Sequence, residues 1–165
     1  MKLLLFLLFW WSFLTHDPTP LQVKLLGQSD PQLEEAAYFY ARELGMDHVN
    51  IVIAMSLHLP PSVNGYLLYE EVAQTGQRNA VIRIRATLTA AEKARVLAHE
   101  MIHLRQYLDQ RLVQISPHRF AWEGKAYEWR HLPYQQRGWE KEALDQESEL
   151  LKRFQTNQKA VLAAR

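Results

Sequence analysis

His99, Glu100 and His103 fall within the pentapeptide His99-Glu100-Met101-Ile102-His103, two imidazoles four residues apart with a carboxylate beside the first. On a helix, positions i and i+4 stack on one face, so both rings can point at one ion. Glu100 then reaches a water that the ion activates. Two neutral nitrogens on a divalent metal, with a carboxylate placed to accept a proton, are what zinc-assisted hydrolysis requires. The competing reading of the same residues is a pair of core histidines satisfied by hydrogen bonds and a solvated glutamate.

This chemistry needs a helix, and the flanking residues predict one. Thr89-Ala90-Ala91-Glu92 has the pattern of a capping box, a hydroxyl at the N-cap and a carboxylate three residues on. Ala91, Ala94, Val96, Leu97, Ala98, Met101, Ile102, Leu104 and Leu108 follow with no Gly or Pro before Pro117, which predicts a helix from about 90 to 110. Two histidines leave a catalytic zinc short of protein ligands, because such sites usually take three and keep a position for water. One known pattern turns the chain with a Gly three residues after the second His and offers a ligand three further on. Gln106 and Asp109 occupy those places here. The helix therefore continues, and Asp109 falls on a different face from the histidines.

A better third ligand lies downstream. Residues from about 138 to 160 read as a second amphipathic helix, with Ala143, Leu144, Leu150, Leu151 and Phe154 at three- and four-residue steps. Helical rotation puts Glu140 in the middle of that apolar stripe. It turns Glu142 toward the wet side with Glu149 and Lys152, as an ordinary surface residue. A carboxylate on a buried face is costly unless it is paired or bound to a metal, which selects Glu140. The alternative for Glu140 is a helix-start carboxylate favoured by the dipole. Glu147 shares the inner stripe, either as acceptor for a ligand histidine N–H or as partner of a buried Arg.

With His99, Glu100, His103 and Glu140 in these roles, the chain resembles the zincin metallopeptidases, and within them the gluzincin branch, over roughly residues 80–150. The Glu-x-x-Ala spacing of Glu140 and Ala143 looks like the third-ligand helix of several such families. Leu132-Pro133-Tyr134 through Trp139-Glu140-Lys141-Glu142-Ala143 is similar to the ending of small bacterial and phage HExxH proteins. Gly138 stands where Pro often precedes the Trp, and Leu144 stands where several gluzincins carry an Asp that braces a histidine. The resemblance implies a zinc-dependent endopeptidase acting on a peptide or protein substrate. Zn²⁺ would be held by His99, His103 and Glu140, and Glu100 would serve as general base. It further implies that the strand just before the HExxH helix borders the cleft and pairs with an extended substrate, against the plainer reading of an ordinary sheet strand. The rival class is a zinc-stabilised binding or scaffold domain without catalysis, or an interaction module with no metal.

The remaining elements must hold these helices. The chain has 165 residues, enough for one domain with a real core. Its net charge of +1 has no basic block, which argues against nucleic-acid binding. It has no cysteine, so disulfides and thiolate metal sites are excluded. Met1-Lys2 followed by the apolar run Leu3 to Leu14 reads residues 1–16 as a signal peptide or a short membrane anchor with Trp10 and Trp11 at the interface. No small-x-small cleavage site is evident. Export or membrane association through residues 3–14 is expected ahead of a cytosolic location. Residues 17–30 read as a linker or first strand, and residues 31–165 as the domain.

Asp30-Pro31 begins a helix that Gly45 ends, with Leu33, Ala36, Ala37, Tyr40, Ala41 and Leu44 on its buried face. Ile51 to Leu59 reads as a strand. Tyr66 to Ala73 and Val81 to Ala86 read as a hairpin across Thr75-Gly76-Gln77, with Ile82 and Ile84 on the core and Arg83 and Arg85 on the wet face. A tight hairpin is expected around Glu123-Gly124-Lys125. His118, Glu123, Glu128 and His131 are candidate ligands by type only, each more often a surface or capping residue. Tyr134 and His131 precede the third-ligand helix and are candidate donors to an oxyanion. Trp122, Tyr127, Trp129, Tyr134 and Trp139 read as core and cleft wall. The fold class expected is α+β, a small antiparallel or mixed sheet packed on the HExxH helix, with a C-terminal helix carrying the third ligand.

Overall fold

The computed structural model describes residues 20–27 and 29–164. Residues 1–16, read as signal or anchor, lie outside the described residues. Among those described, no helix is long and apolar enough to cross a membrane.

Within residues 17–30, read as a linker or first strand, Gln22–Leu26 form a strand, β1. It is followed by α1 (Pro31–Glu43), β2 (Asn50–Ser56), β3 (Gly65–Val72), β4 (Gln77–Arg85) and α2 (Ala90–Leu108). The second half contributes β5 (Leu112–Ser116), β6 (Arg119–Trp122), β7 (Lys125–Glu128) and α3 (Gly138–Ala163), with two single 3₁₀ turns between β7 and α3. The fold is α+β, as its hydrophobic periodicities require. Its main sheet is mixed, in the order β1-β2-β4-β3. β1, β2 and β4 run parallel, and β3 runs antiparallel on β4.

The local signals act where they stand in the chain. Asp30 accepts a hydrogen bond from the Leu33 amide at the start of α1, with Pro31 as its first residue. Gly45 closes that helix at φ +64°, a backbone conformation that costs a residue without a side chain little. Thr89 and Glu92 form the reciprocal capping box at the start of α2.

Ile51 and Ile53 of β2 and Ala80, Ile82 and Ile84 of β4 form one core with Ala36, Ala37 and Tyr40 of α1 and Leu97, Ala98, Met101 and Ile102 of α2. Ala143, Leu150 and Phe154 bring α3 onto the same core. The apolar face of α2 is thus buried against the sheet, α1 and α3, and these elements position the HExxH segment.

Two expectations change. β4 does not border the open side, because β3 lies outside it and forms the sheet edge. The hairpin turn brings β3 back along β4, so the strand before α2 is an interior one. Arg85 is also not a solvated residue of the wet face. Its guanidinium donates to the carbonyls of Leu59, Pro60 and Val63 and to the Asn64 side chain, and so gathers the loop that leads into β3.

The second sheet, β5-β6-β7, is antiparallel. Its tight turn has Glu123 at φ 49° and Gly124 at φ 79°, the paired positive angles of a two-residue hairpin. Phe120, Trp122 and Tyr127 place their rings 6.2–6.5 Å from that of Trp139. This aromatic cluster fixes the sheet to the first turn of α3. Gly138 is required there, because a Cβ would lie 2.5 Å from the Trp122 indole nitrogen.

Candidate metal centre

His99 and His103 lie one turn apart on α2, and Glu140 lies in the first turn of α3. Their nearest atoms make a small triangle. His99 Nε2 is 3.0 Å from His103 Nε2, and Glu140 Oε2 is 3.4 Å from the first and 3.3 Å from the second. One ligand atom from each residue lies within 4.8 Å of the other two. The side chains are only 11–15 % exposed, so few water molecules compete for these atoms.

The other ring nitrogens are also held. His99 Nδ1 lies 2.9 Å from Glu147 Oε2, and His103 Nδ1 lies 2.9 Å from Gln106 Oε1. With both Nδ1 atoms against oxygen acceptors, neutral rings turn their Nε2 lone pairs toward each other and toward a carboxylate oxygen. Three acceptors this close repel unless a proton or a metal cation lies among them. A tetrahedral zinc with bonds of about 2.0–2.1 Å spaces its ligand atoms about 3.3–3.4 Å apart, near the separations found. Two imidazoles and one carboxylate are also a donor set that zinc takes. The residues present therefore fit such an ion.

The protein groups alone show the same electrostatic pressure. Burial pulls the His99 imidazolium down, but hydrogen bonds to Glu140 and Glu147 outweigh it and leave the ring raised to about 9. Burial pushes Glu140 up, and its contacts with the two rings and Tyr134 more than reverse that, holding it well below the usual carboxylate range. Glu100 behaves oppositely. It is 6 % exposed, and burial raises its pKa despite the neighbouring imidazoles.

Both histidines, Glu100, Glu140 and Glu147 line a cleft of about 650 Å³. Gly65, Tyr66 and Leu67 of β3 form one wall, and Trp129, Tyr134 and Trp139 belong to the other. Tyr107, one turn beyond His103, also lines the cleft, its hydroxyl pushed up to about 12 chiefly by burial.

Of the other residues singled out by type, Asp109 pairs with Arg105 on its own helix, away from the triangle. His131 is 81 % exposed beside Glu128 and does not line the cleft, whereas Tyr134 does. His118 is exposed, and Glu123 pairs with Arg111. Glu147 faces His99 and not an arginine. Glu142 is not an ordinary surface residue. It is half-buried and takes two hydrogen bonds from Arg111 and one from Gln106, because the hairpin sheet closes over what would be the wet side of α3. Gln106 escapes a search by ligand type. Its one signal is a polar side chain three residues after His103, on the helix face that carries both histidines.

No protein-family model, no curated protein and no solved structure matches the chain.

Proposed function

We propose that the protein is a small zinc-dependent endopeptidase of the zincin type, gluzincin-like in drawing its third ligand from a separate, later helix. The observation that carries this reading is the convergence of His99 Nε2, His103 Nε2 and Glu140 Oε2 to within 3.0–3.4 Å, with the Glu100 carboxyl buried at the same cleft. His99, His103 and Glu140 hold the metal. Zinc there supplies Lewis acidity, lowering the pKa of water and polarising a carbonyl.

The chain's own residues do the rest. Glu100 takes a proton on its carboxylate and returns it to the leaving amine, a role suited to a carboxyl whose pKa burial has raised. Glu147 orients the His99 ring through Nδ1. Tyr134, beside Glu140 on the cleft wall, is placed to donate to negative charge that develops on a substrate oxygen. β3, which among the described residues is paired on one side only, by β4, offers its other edge to an extended peptide.

The test pairs elemental analysis with a chelator-sensitive peptidase assay. Glu140→Ala is expected to lose zinc. Glu100→Gln is expected to keep zinc while its turnover falls by about 10²–10⁴-fold. A Glu100→Gln protein that cleaves at the wild-type rate would remove the general base from the reading. A wild type that binds stoichiometric zinc yet cleaves no peptide would identify a zinc-stabilised scaffold instead.

A further inference from the structure

Gln106 is 1 % exposed, a position an amide tolerates only when its polar atoms are satisfied. Its two ends differ in chemistry. The amino end faces two groups that can only accept, the Trp139 carbonyl at 3.0 Å and Glu142 Oε1 at 3.3 Å. That leaves one favourable orientation, with the oxygen toward His103 Nδ1 at 2.9 Å. A carbonyl oxygen accepts and never donates, so Nδ1 must carry the hydrogen. The neutral ring then keeps Nε2 bare, and Nε2 is the atom that faces His99 and Glu140.

The acceptors that orient Gln106 are themselves held. Arg111 donates to both oxygens of Glu142, at 2.9 and 2.6 Å. The same guanidinium reaches Glu123 at the β6–β7 turn at 2.8 Å and lies 4.7 Å over the Trp122 ring. A continuous chain of contacts thus runs from the hairpin turn through Arg111, Glu142 and Gln106 to the histidine.

We propose that Gln106 is the positioning residue that sets the His103 tautomer, and that the Glu142–Arg111 pair acts through it to tie the three-stranded sheet to the metal centre. A reversed amide would present N–H to Nδ1 and move the ring hydrogen to Nε2, closing the lone pair that a metal needs. The consequence for metal affinity rests on the metallopeptidase reading; the tautomer does not.

The test uses the full-length protein. Nitrogen NMR of the metal-free chain, with the His103 signals assigned by their loss in His103→Ala, reports which ring nitrogen carries the hydrogen. Wild type is expected to show it on Nδ1, and Gln106→Leu to show the Nε2-protonated form. Zinc affinity, measured by competition with a chromophoric chelator, is expected to weaken by about 10–100-fold in Gln106→Leu. Glu142→Gln leaves the packing intact but gives residue 142 a donor as well as an acceptor. It is expected to change both readouts in the same direction by less, and it carries the test if Gln106→Leu does not fold. Nε2 protonation in wild type, or an unchanged tautomer and zinc affinity in a folded variant, overturns the proposal. A wild type that binds no zinc overturns the metal reading instead, and the tautomer measurement then decides the role of Gln106 alone.

Discussion

Gly65 shows how closely the catalytic carboxylate proposed here is fitted to its wall. A Cβ on Gly65 would lie 2.4 Å from a Val96 methyl, 3.1 Å from the Arg83 carbonyl and 3.3 Å from Glu100 Oε1. Only a residue without a side chain lets β3 begin this close to α2. Gly65→Ala is therefore expected to destabilise the protein by about 1–3 kcal/mol through overpacking, read as a lower urea midpoint. An unchanged midpoint would mean that the Val96 side chain on α2 moves aside freely. Beside Glu100, the residues around the triangle differ in how visible they are in sequence. Glu140 and Glu147 are seven residues apart, two helical turns, so their common face follows from helical period alone. Gln106 and Glu142 gain their roles from each other and from Arg111, which no local spacing reveals.

At the scale of elements, α2 depends on its first turn, because the proposed ligands lie further along a helix that has to start in register. Glu92 receives the Thr89 amide and hydroxyl, each at 2.8 Å. These hydrogen bonds, the backbone one foremost, hold its carboxyl below the ordinary 4.5. A carboxyl whose folded pKa is lowered stabilises the fold above its unfolded value, and that contribution is lost as pH falls through the folded one. Glu92→Gln keeps a capping oxygen but removes the charge. Wild type is thus expected to be the more stable of the two at neutral pH, with the difference shrinking as pH drops below 4.5. Urea unfolding of both proteins across that range checks the sign, and a difference that grows in acid would contradict it. β3 teaches the opposite lesson. Its pairing partner is predictable from the turn at Gly76, yet its place at the sheet edge comes from β2 occupying the other side of β4.

Over the whole molecule, the proposed zinc would bridge two helices whose ligands are far apart in the chain. Binding to the folded state alone adds stability by mass action, about 2.7 kcal/mol at a free metal concentration a hundredfold above the dissociation constant. Removing zinc with a chelator is expected to lower the urea midpoint of wild type and to leave that of Glu140→Ala where it is. Equal shifts in both proteins would place the stabilising metal elsewhere. The aromatic cluster around Trp139 serves the same architecture from outside, since it presses the β5–β7 sheet onto the turn of α3 that presents Glu140.

What the sequence determined by itself was local and periodic: the capped helix with two imidazoles on one face, the inward stripe of the last helix with Glu140 and Glu147 on it, and the α+β alternation around them. Each is written within a few turns or strand residues, where spacing converts directly into a face. The tertiary structure alone decided that β3 is the edge of the sheet, that Arg85 gathers the cleft loop, and that Glu142 is enclosed by the hairpin sheet and joins Arg111 to Gln106. Those outcomes depend on which surfaces dock between residues distant in the chain, and a residue's own neighbours carry no record of what will later cover it.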